Sequence, residues 1–317
     1  MKEPFVSILM AVYNAEKWLD EALDSLLVRQ SFRELEVLAV DDASTDGSLA
    51  ILQRRAQQDE RLRVFHQAEN QGQAVARNIA LAEARGEFIM MVDADDWLSD
   101  DAIAEAVSVV RQFPQTQCVV FTLKKGDETC KMTEKVLTGE EAFRQSLDWR
   151  LHGLYMVSRE LHKRYPYDAS YRLYSDDNTS HLHYLHSKEV RPCNGVYYYR
   201  QHPESSTTKV SPNRFLHMMA NLSLRKTLVE EGVSEDILAY YDKYRWHVYL
   251  GQLWLFFTTS SQFEKATQQM LRDQFRAVYA TFRKRTPYAL FLVSQRLRWW
   301  LKKLRYGDSL RQKLVGC

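Results

Sequence analysis

"GEFIMMVDADDW" (residues 86–97) decides the fold: an apolar run, Phe88–Val92, stops at three carboxylates, Asp93, Asp95 and Asp96. A short apolar run bounded by polar residues reads as a strand buried on both faces, and such strands belong to parallel sheets covered by helices. The same rhythm extends outward. Strands are expected at Phe5–Tyr13, Glu36–Asp41, Leu62–His66, Glu87–Val92 and Cys118–Leu123, and helices at about Glu16–Arg29, Gly47–Gln58, Gly72–Arg85 and Asp100–Gln112. This alternation predicts an α/β domain with a Rossmann-like, mostly parallel sheet flanked by helices. Ligands in such sheets bind beyond the carboxyl ends of the strands, which singles out loops 13–18, 41–48, 67–78 and 93–97.

Past residue 125 the pattern turns mixed, with a helix at 139–147 and an aromatic run, "VYYYRQHP" (196–203). Beyond Ser211–Pro212 it becomes helical, with apolar periodicity over 214–231, 235–258, 262–285 and 287–306. The expected organisation is a domain over 1–210, its halves meeting near 125, followed by an α-helical C-terminal region over 211–317.

The chain has 317 residues, 45% of them hydrophobic, enough for a substantial core. Its four cysteines form no C-x-x-C pair, which argues against a zinc ribbon or a disulfide scaffold and for a reducing, cytoplasmic compartment. The N-terminal apolar stretch is short and broken by Asn14 and Glu16, so it reads as a strand rather than a signal peptide. No window approaches the roughly 18 apolar residues a membrane span needs. Residues 283–317 carry ten Lys or Arg against one acid, leaving 33 basic and 40 acidic side chains for residues 1–282. With the basic charge confined to the tail, a nucleic-acid binder is disfavoured.

In "VDDASTDGS" (40–48), Asp41 and Asp42 close a strand, and Ser44, Thr45 or Asp46 can cap the next helix. Cap chemistry alone could explain the loop; alternatively a carboxylate at this edge accepts the N3–H of uracil. No G-x-G-x-x-G follows the first strand, so a dinucleotide-binding dehydrogenase is disfavoured. In "DADDW", alternation puts Asp93 and Asp95 on one side and Asp96 on the other. Two same-side carboxylates suit Mg²⁺ or Mn²⁺, hard ions that take oxygen ligands and reach substrate phosphates.

The ordered series "VSILMAVYNAEKWLDEALDSLL" (6–27), "EVLAVDDASTDGS" (36–48) and "ENQGQAVARNIALAEARGEFIMMVDADDW" (69–97) resembles glycosyltransferase family 2. These are inverting GT-A-fold enzymes that use nucleotide-diphosphate sugars; the resemblance covers about residues 4–205 and points to a bacterial surface-glycan type. It implies that Ala11, Tyr13 and Glu16 line the nucleotide pocket, Asp42 holds the base and Arg77 lies near the phosphates. Asp93 and Asp95 match the family's D-x-D, Asp95 as direct metal ligand and Asp93 nearer the ribose. In "YSDDNTSHLHYL" (174–185), Asp177 matches the catalytic base, while Asp176 stands where the family more often has Glu and is read as an acceptor contact. The competing reading is that both acids merely suit a helix N-terminus. Arg200 and His202 in "YYYRQHPESST" (197–207) are candidates for the diphosphate and the metal, with Ser205 or Ser206 behind them. Trp149, His152 and Tyr155 fall in the variable acceptor region, where Trp149 is the candidate sugar contact and core packing is the alternative. His181, His183 and His186 are read as acceptor-side or structural.

The expected activity is therefore transfer from a UDP-sugar to a hydroxyl of a glycan or lipid-linked glycan. A sugar nucleotidyltransferase would want a glycine-rich triphosphate loop that "MAVYNAEKWL" lacks. A D-x-D phosphatase would want a nucleophile after the first strand, and a non-catalytic membrane-associated nucleotide binder would have little use for the acids at 93, 95 and 177. In residues 286–306, Leu290, Val293, Leu297, Trp300, Leu301 and Leu304 share one helical stripe, and Arg298, Lys302 and Arg305 another. That pattern suits a helix lying on an anionic membrane surface, here the cytoplasmic face, or a packing helix with a solvated basic side.

Overall fold

Val6–Val12 (β1) forms the axis of the sheet, six of its seven side chains buried. The computed structural model describes residues 3–130, 134–171, 174–202, 211–282 and 292–296. After β1 come α1 (Leu19–Leu23), β2 (Leu35–Asp41), α2 (Ser48–Gln58), β3 (Leu62–His66), α3 (Gln73–Glu83) and β4 (Phe88–Met91). Next are β5 (Trp97–Leu98), α4 (Ala102–Gln112), β6 (Thr116–Lys125), β7 (Glu128–Cys130), α5 (Gly139–Leu147), β8 (Tyr155–Ser158), α6 (Arg159–Arg164), α7 (Ser175–His186) and β9 (Glu189–Tyr199).

The sheet runs β3-β2-β1-β4-β8-β6-β9-β5, with β7 hairpinned onto β6. β3, β2, β1 and β4 are mutually parallel, as the alternation predicts. Val12 pairs with Asp41 and Asp41 with His66, so the loops after β1, β2 and β3 emerge together. β6 does not extend the parallel run. β8 lies between β4 and β6, antiparallel to both, and β6 pairs in parallel with β9. Four residues are too few for a period to be read, and β9 carries Pro192 and Gly195, which argue against a strand in the sequence. The register slips between Val120 and Thr122, opposite that stretch. A Cβ on Gly195 would stand 2.8 Å from the Ala102 Cα, so only glycine lets β9 pass this close to α4.

α1 is shorter than expected and runs into a π turn at Asp24–Val28, where the Arg29 N–H donates to the Asp24 carbonyl at 2.9 Å. One apolar cluster, including Ile8, Leu23, Ala39, Met90, Ile103, Phe121 and Met156, lies beneath these elements and fixes the strand ends that carry the loops.

The chain divides after His202, ahead of the expected boundary at 210. The second unit contains a 3₁₀ turn (Pro212–Phe215), α8 (Leu216–Glu230), α9 (Glu235–Thr259) and α10 (Lys265–Ala280), packed around Phe215, Tyr249, Phe256 and Phe275. Ser234 caps α9 by accepting the Ile237 N–H at 3.3 Å. The helix expected over 287–306 lies outside the described residues apart from 292–296, where Val293 is 65% exposed. Among the described residues, no helix is long and apolar enough to cross a membrane.

Candidate active site

The loops after β1 and β2 are hydrogen-bonded into one unit. Asn14, Ala15 and Glu16 donate their backbone N–H groups to Ser44 Oγ, Ser48 Oγ and Asp46 Oδ2 at 3.0, 2.8 and 3.1 Å. In return, Thr45 N–H donates to Asn14 Oδ1 at 2.8 Å and Gly47 N–H to Glu16 Oε2 at 2.6 Å. Glu16, expected in the nucleotide pocket, is thus engaged at the N-terminus of α2, where its charge suits the helix dipole. Asp46 is not the N-cap of α2, which is Gly47; it stands one residue ahead and accepts the Ser48 N–H at 3.0 Å. Ala11 is partly covered near the end of β1, and Tyr13 projects beside it, 50% exposed.

Asp42 is buried, with three donors on its carboxylate: Gln67 Nε2 at 2.7 Å and the N–H groups of Gln71 and Gly72, each at 2.8 Å. Gly72 can serve because its φ of 94° is a conformation other residues resist. A carboxylate accepts about four hydrogen bonds, so one acceptor position is left over. The sequence reading missed the neighbouring pair, in which buried Asp41 accepts from His66 Nδ1 at 2.9 Å. That pairing depends on the register of β2 against β3, for which the sequence carries no local signal.

Arg77 projects from α3 and is 1% exposed. One Nη donates to Asp93 Oδ1 at 2.5 Å, while Nε and the other Nη are buried without a partner among the described residues. Burial disfavours its charge, but Asp93, Tyr167 and Asp176 outweigh that and raise its pKa above the ordinary arginine range. A buried guanidinium with two idle nitrogens, three N–H groups between them, suits an anion.

The acidic loop is clamped from β9. Tyr197, wholly buried, accepts the Asp93 N–H at 3.1 Å and donates to Asp96 Oδ2 at 2.8 Å, and Asp96 Oδ1 accepts the Arg200 N–H at 2.8 Å. Asp96 is therefore the orienting carboxylate; burial, then the charges of Asp93 and Asp95, push its pKa up to about 8. His202 Nε2 lies 2.8 Å from Asp95 Oδ2. Arg200 has a different occupation from the expected donor contact. Its guanidinium sits 4.4 Å from both the Trp18 and Trp97 rings and donates to the Asp95 carbonyl at 2.8 Å and to Glu21 at 2.5 Å. Oxygens of Asp93, Asp95 and Asp96 fall within 4.8 Å of one another, a spacing and donor set that fit Mg²⁺ or Mn²⁺.

Asp176 and Asp177 open α7, which starts from Tyr174 in the left-handed conformation (φ 68°). Burial and the adjacent Asp176 charge push the Asp177 pKa up to about 8. The other positive-φ non-glycine residues among those described are Asn14, Ala43 and Trp149, so all four lie in the candidate loops or the expected acceptor region. Backbone strain of about 1–3 kcal/mol per residue gathers where geometry serves a ligand. Trp149 is 65% exposed. His152 and Tyr155 are core residues: burial pulls the His152 pKa down to about 4, and Tyr155 donates to His183 Nδ1 at 2.6 Å. His181 and His183 are also buried, and His186 stacks on Tyr165, so these histidines hold α7 from below. Ser205 and Ser206 lie outside the described residues.

A family model described as Glycosyl transferase family 2 matches residues 7–178. An uncharacterised glycosyltransferase of Haemophilus influenzae is 38% identical over 112 residues, 35% of this chain and 44% of that protein, so less than half of that relative is spanned. Among solved structures, S. aureus TarS 1–349 in complex with UDP-GlcNAc superposes with a TM-score of 0.65 at 22% identity, covering 86% of this chain and 81% of that one. The mannosyltransferase PcManGT from Pyrobaculum calidifontis, in complex with GDP-Man and Mn²⁺, gives a TM-score of 0.60 at 20% identity over 96% of this chain and 88% of that one. At these identities the two structures speak for the fold.

Proposed function

The chain belongs to glycosyltransferase family 2, and on that premise we propose that it is a glycosyltransferase that moves a sugar from a UDP-sugar to a hydroxyl of a glycan or lipid-linked glycan, with inversion. Arg77 carries the reading: a buried guanidinium bonded through one Nη to Asp93, with Nε and the other Nη unsatisfied, stands beside the carboxylate cluster at a sheet's carboxyl edge, an arrangement suited to a diphosphate. Asp42 accepts the N3–H of the base at its remaining acceptor position, and the loop of Ala11 and Tyr13 flanks the nucleoside. Asp95, with Asp93 and His202, would hold the divalent cation, which when bound neutralises charge on the departing diphosphate. Arg200 contributes through the loop it clamps.

Asp177 takes the proton of the acceptor hydroxyl as its oxygen bonds to the anomeric carbon, and the sugar–diphosphate bond breaks on the opposite side. Asp176 and the exposed Trp149 contact the acceptor. A panel of nucleotide sugars with Mn²⁺ tests the donor class by thermal shift. At a hundredfold excess over Kd, the matching UDP-sugar should add about 2.7 kcal/mol of stability, whereas no shift with any member would sink the proposal.

The tail belongs to the same reading. Docking of 286–306 on an anionic, cytoplasmic membrane face would bring the enzyme to a lipid-linked acceptor. The exposure of Val293, on the apolar stripe, supports it. Deleting 286–317 should abolish co-sedimentation with vesicles containing phosphatidylglycerol; unchanged co-sedimentation would refute it.

A further inference from the structure

The motif "ARN" (76–78) is only half used by the donor reading: Arg77 faces the acids, and its neighbour Asn78 does something else. The Asn78 carboxamide pairs with the backbone of Tyr167, 89 residues away. Its Nδ2 donates to the Tyr167 carbonyl at 2.8 Å, and its Oδ1 accepts the Tyr167 N–H at 3.0 Å. One side chain thus reproduces the two-bond exchange of paired strands.

The other side of that segment is fastened to α7. His183 Nε2 donates to the Tyr165 carbonyl at 2.9 Å, and Thr179 Oγ to the Pro166 carbonyl at 3.3 Å. Rings close the gap between them: the Arg77 guanidinium lies 5.5 Å from the Tyr167 ring, His162 packs at 5.0 Å on Tyr167, and His183 at 4.5 Å on His162. Three consecutive residues, Tyr165, Pro166 and Tyr167, therefore form a strut between the helix bearing Arg77 and the helix opened by Asp177.

We infer that Asn78 is a positioning residue that, through this strut, sets the base helix at a fixed place relative to the cation that grips the donor. The inference rests on the roles given above to Arg77 and Asp177. An inverting displacement requires base, acceptor oxygen, anomeric carbon and leaving group in one line, and a misplacement of about 1 Å can cost about a hundredfold in rate. Asn78 reaches no reacting atom; both polar ends of its carboxamide are taken up by Tyr167.

The test uses the full chain with UDP and GDP as probes, each with Mn²⁺, following hydrogen exchange, nucleotide Kd by calorimetry, and nucleoside diphosphate release from UDP-GlcNAc and GDP-mannose. In the wild type, nucleotide should slow exchange at 72–80 and also at 174–182. Asn78→Ala should bind the same nucleotide within about threefold and keep protection at 72–80. It should lose protection at 174–182, and turnover should fall about 10- to 100-fold. Thr179→Val, cutting the strut at its other end, should do likewise, and Thr179→Ser should restore both readouts. Should Asn78→Ala fail to fold, the Thr179 pair decides alone. Retained protection at 174–182, or equal loss at both segments with weakened nucleotide binding, overturns the inference. Failure of the underlying reading is a different result: a wild type that binds neither nucleotide, or a fully active Asp177→Asn.

Discussion

Asp177→Asn should lower sugar transfer by about 10²- to 10⁴-fold while leaving UDP affinity unchanged, because it removes a proton acceptor and touches none of the donor contacts. The pH dependence gives a second signature. With the Asp177 pKa pushed up to about 8 by burial and Asp176, kcat/KM in the wild type should rise with pH through that region as the carboxylate forms. Stability should move the opposite way. Between about pH 4 and 8 the folded protein keeps a proton on Asp177 that the unfolded chain releases, so stability falls as pH rises through the window. Asparagine abolishes that loss. The variant should match the wild type near pH 4 and exceed it by several kcal/mol at pH 8, by chemical denaturation without divalent ions. A fully active variant would remove Asp177 as the base; an inactive variant with no stability gain would contradict the raised pKa.

Asp95→Ala should be nearly as damaging, through the metal. Asp95 offers its carboxylate beside Asp93 and His202, and without it Mn²⁺ affinity should fall by about 100-fold and turnover by about 10²- to 10⁴-fold. Excess EDTA should silence the wild type, with Mn²⁺ or Mg²⁺ restoring it. Undiminished transfer in EDTA would contradict the assignment of the three aspartates. Asp96→Asn separates ligation from orientation: Tyr197 and the Arg200 N–H hold that carboxylate, so the variant should lose less metal affinity than Asp95→Ala.

The parts legible in the sequence are those whose signal is local. The parallel strands announce themselves as apolar runs, Asp42 and the D-x-D by their place after them, and the helices of the second unit by apolar period. What stayed hidden depends on pairings across long separations. β8 is four residues long and acquires its place only between β4 and β6. Tyr197 and Tyr198 read alike in an aromatic run, yet one is buried under the aspartates and the other stacks on Trp97. Arg200 looks like a phosphate contact, and nothing in the sequence signals that its guanidinium also lies 4.4 Å from the Trp18 and Trp97 rings. The histidines of α7 carry no pattern distinguishing ligand from core; burial decides, and His181 and His183 lie inside.

The clamp on the acidic loop also bears on the order in which the molecule is made. Asp93 and Asp96 leave the ribosome about a hundred residues before Tyr197, Arg200 and His202, at roughly 5–20 residues per second. For that interval the nascent chain has the parallel strands of its donor half and the Arg77–Asp93 contact, but an acidic loop without its clamp from β9. The nucleotide edge can form during synthesis, whereas metal capture waits for the last strand, so an unfinished chain has the motif without the site.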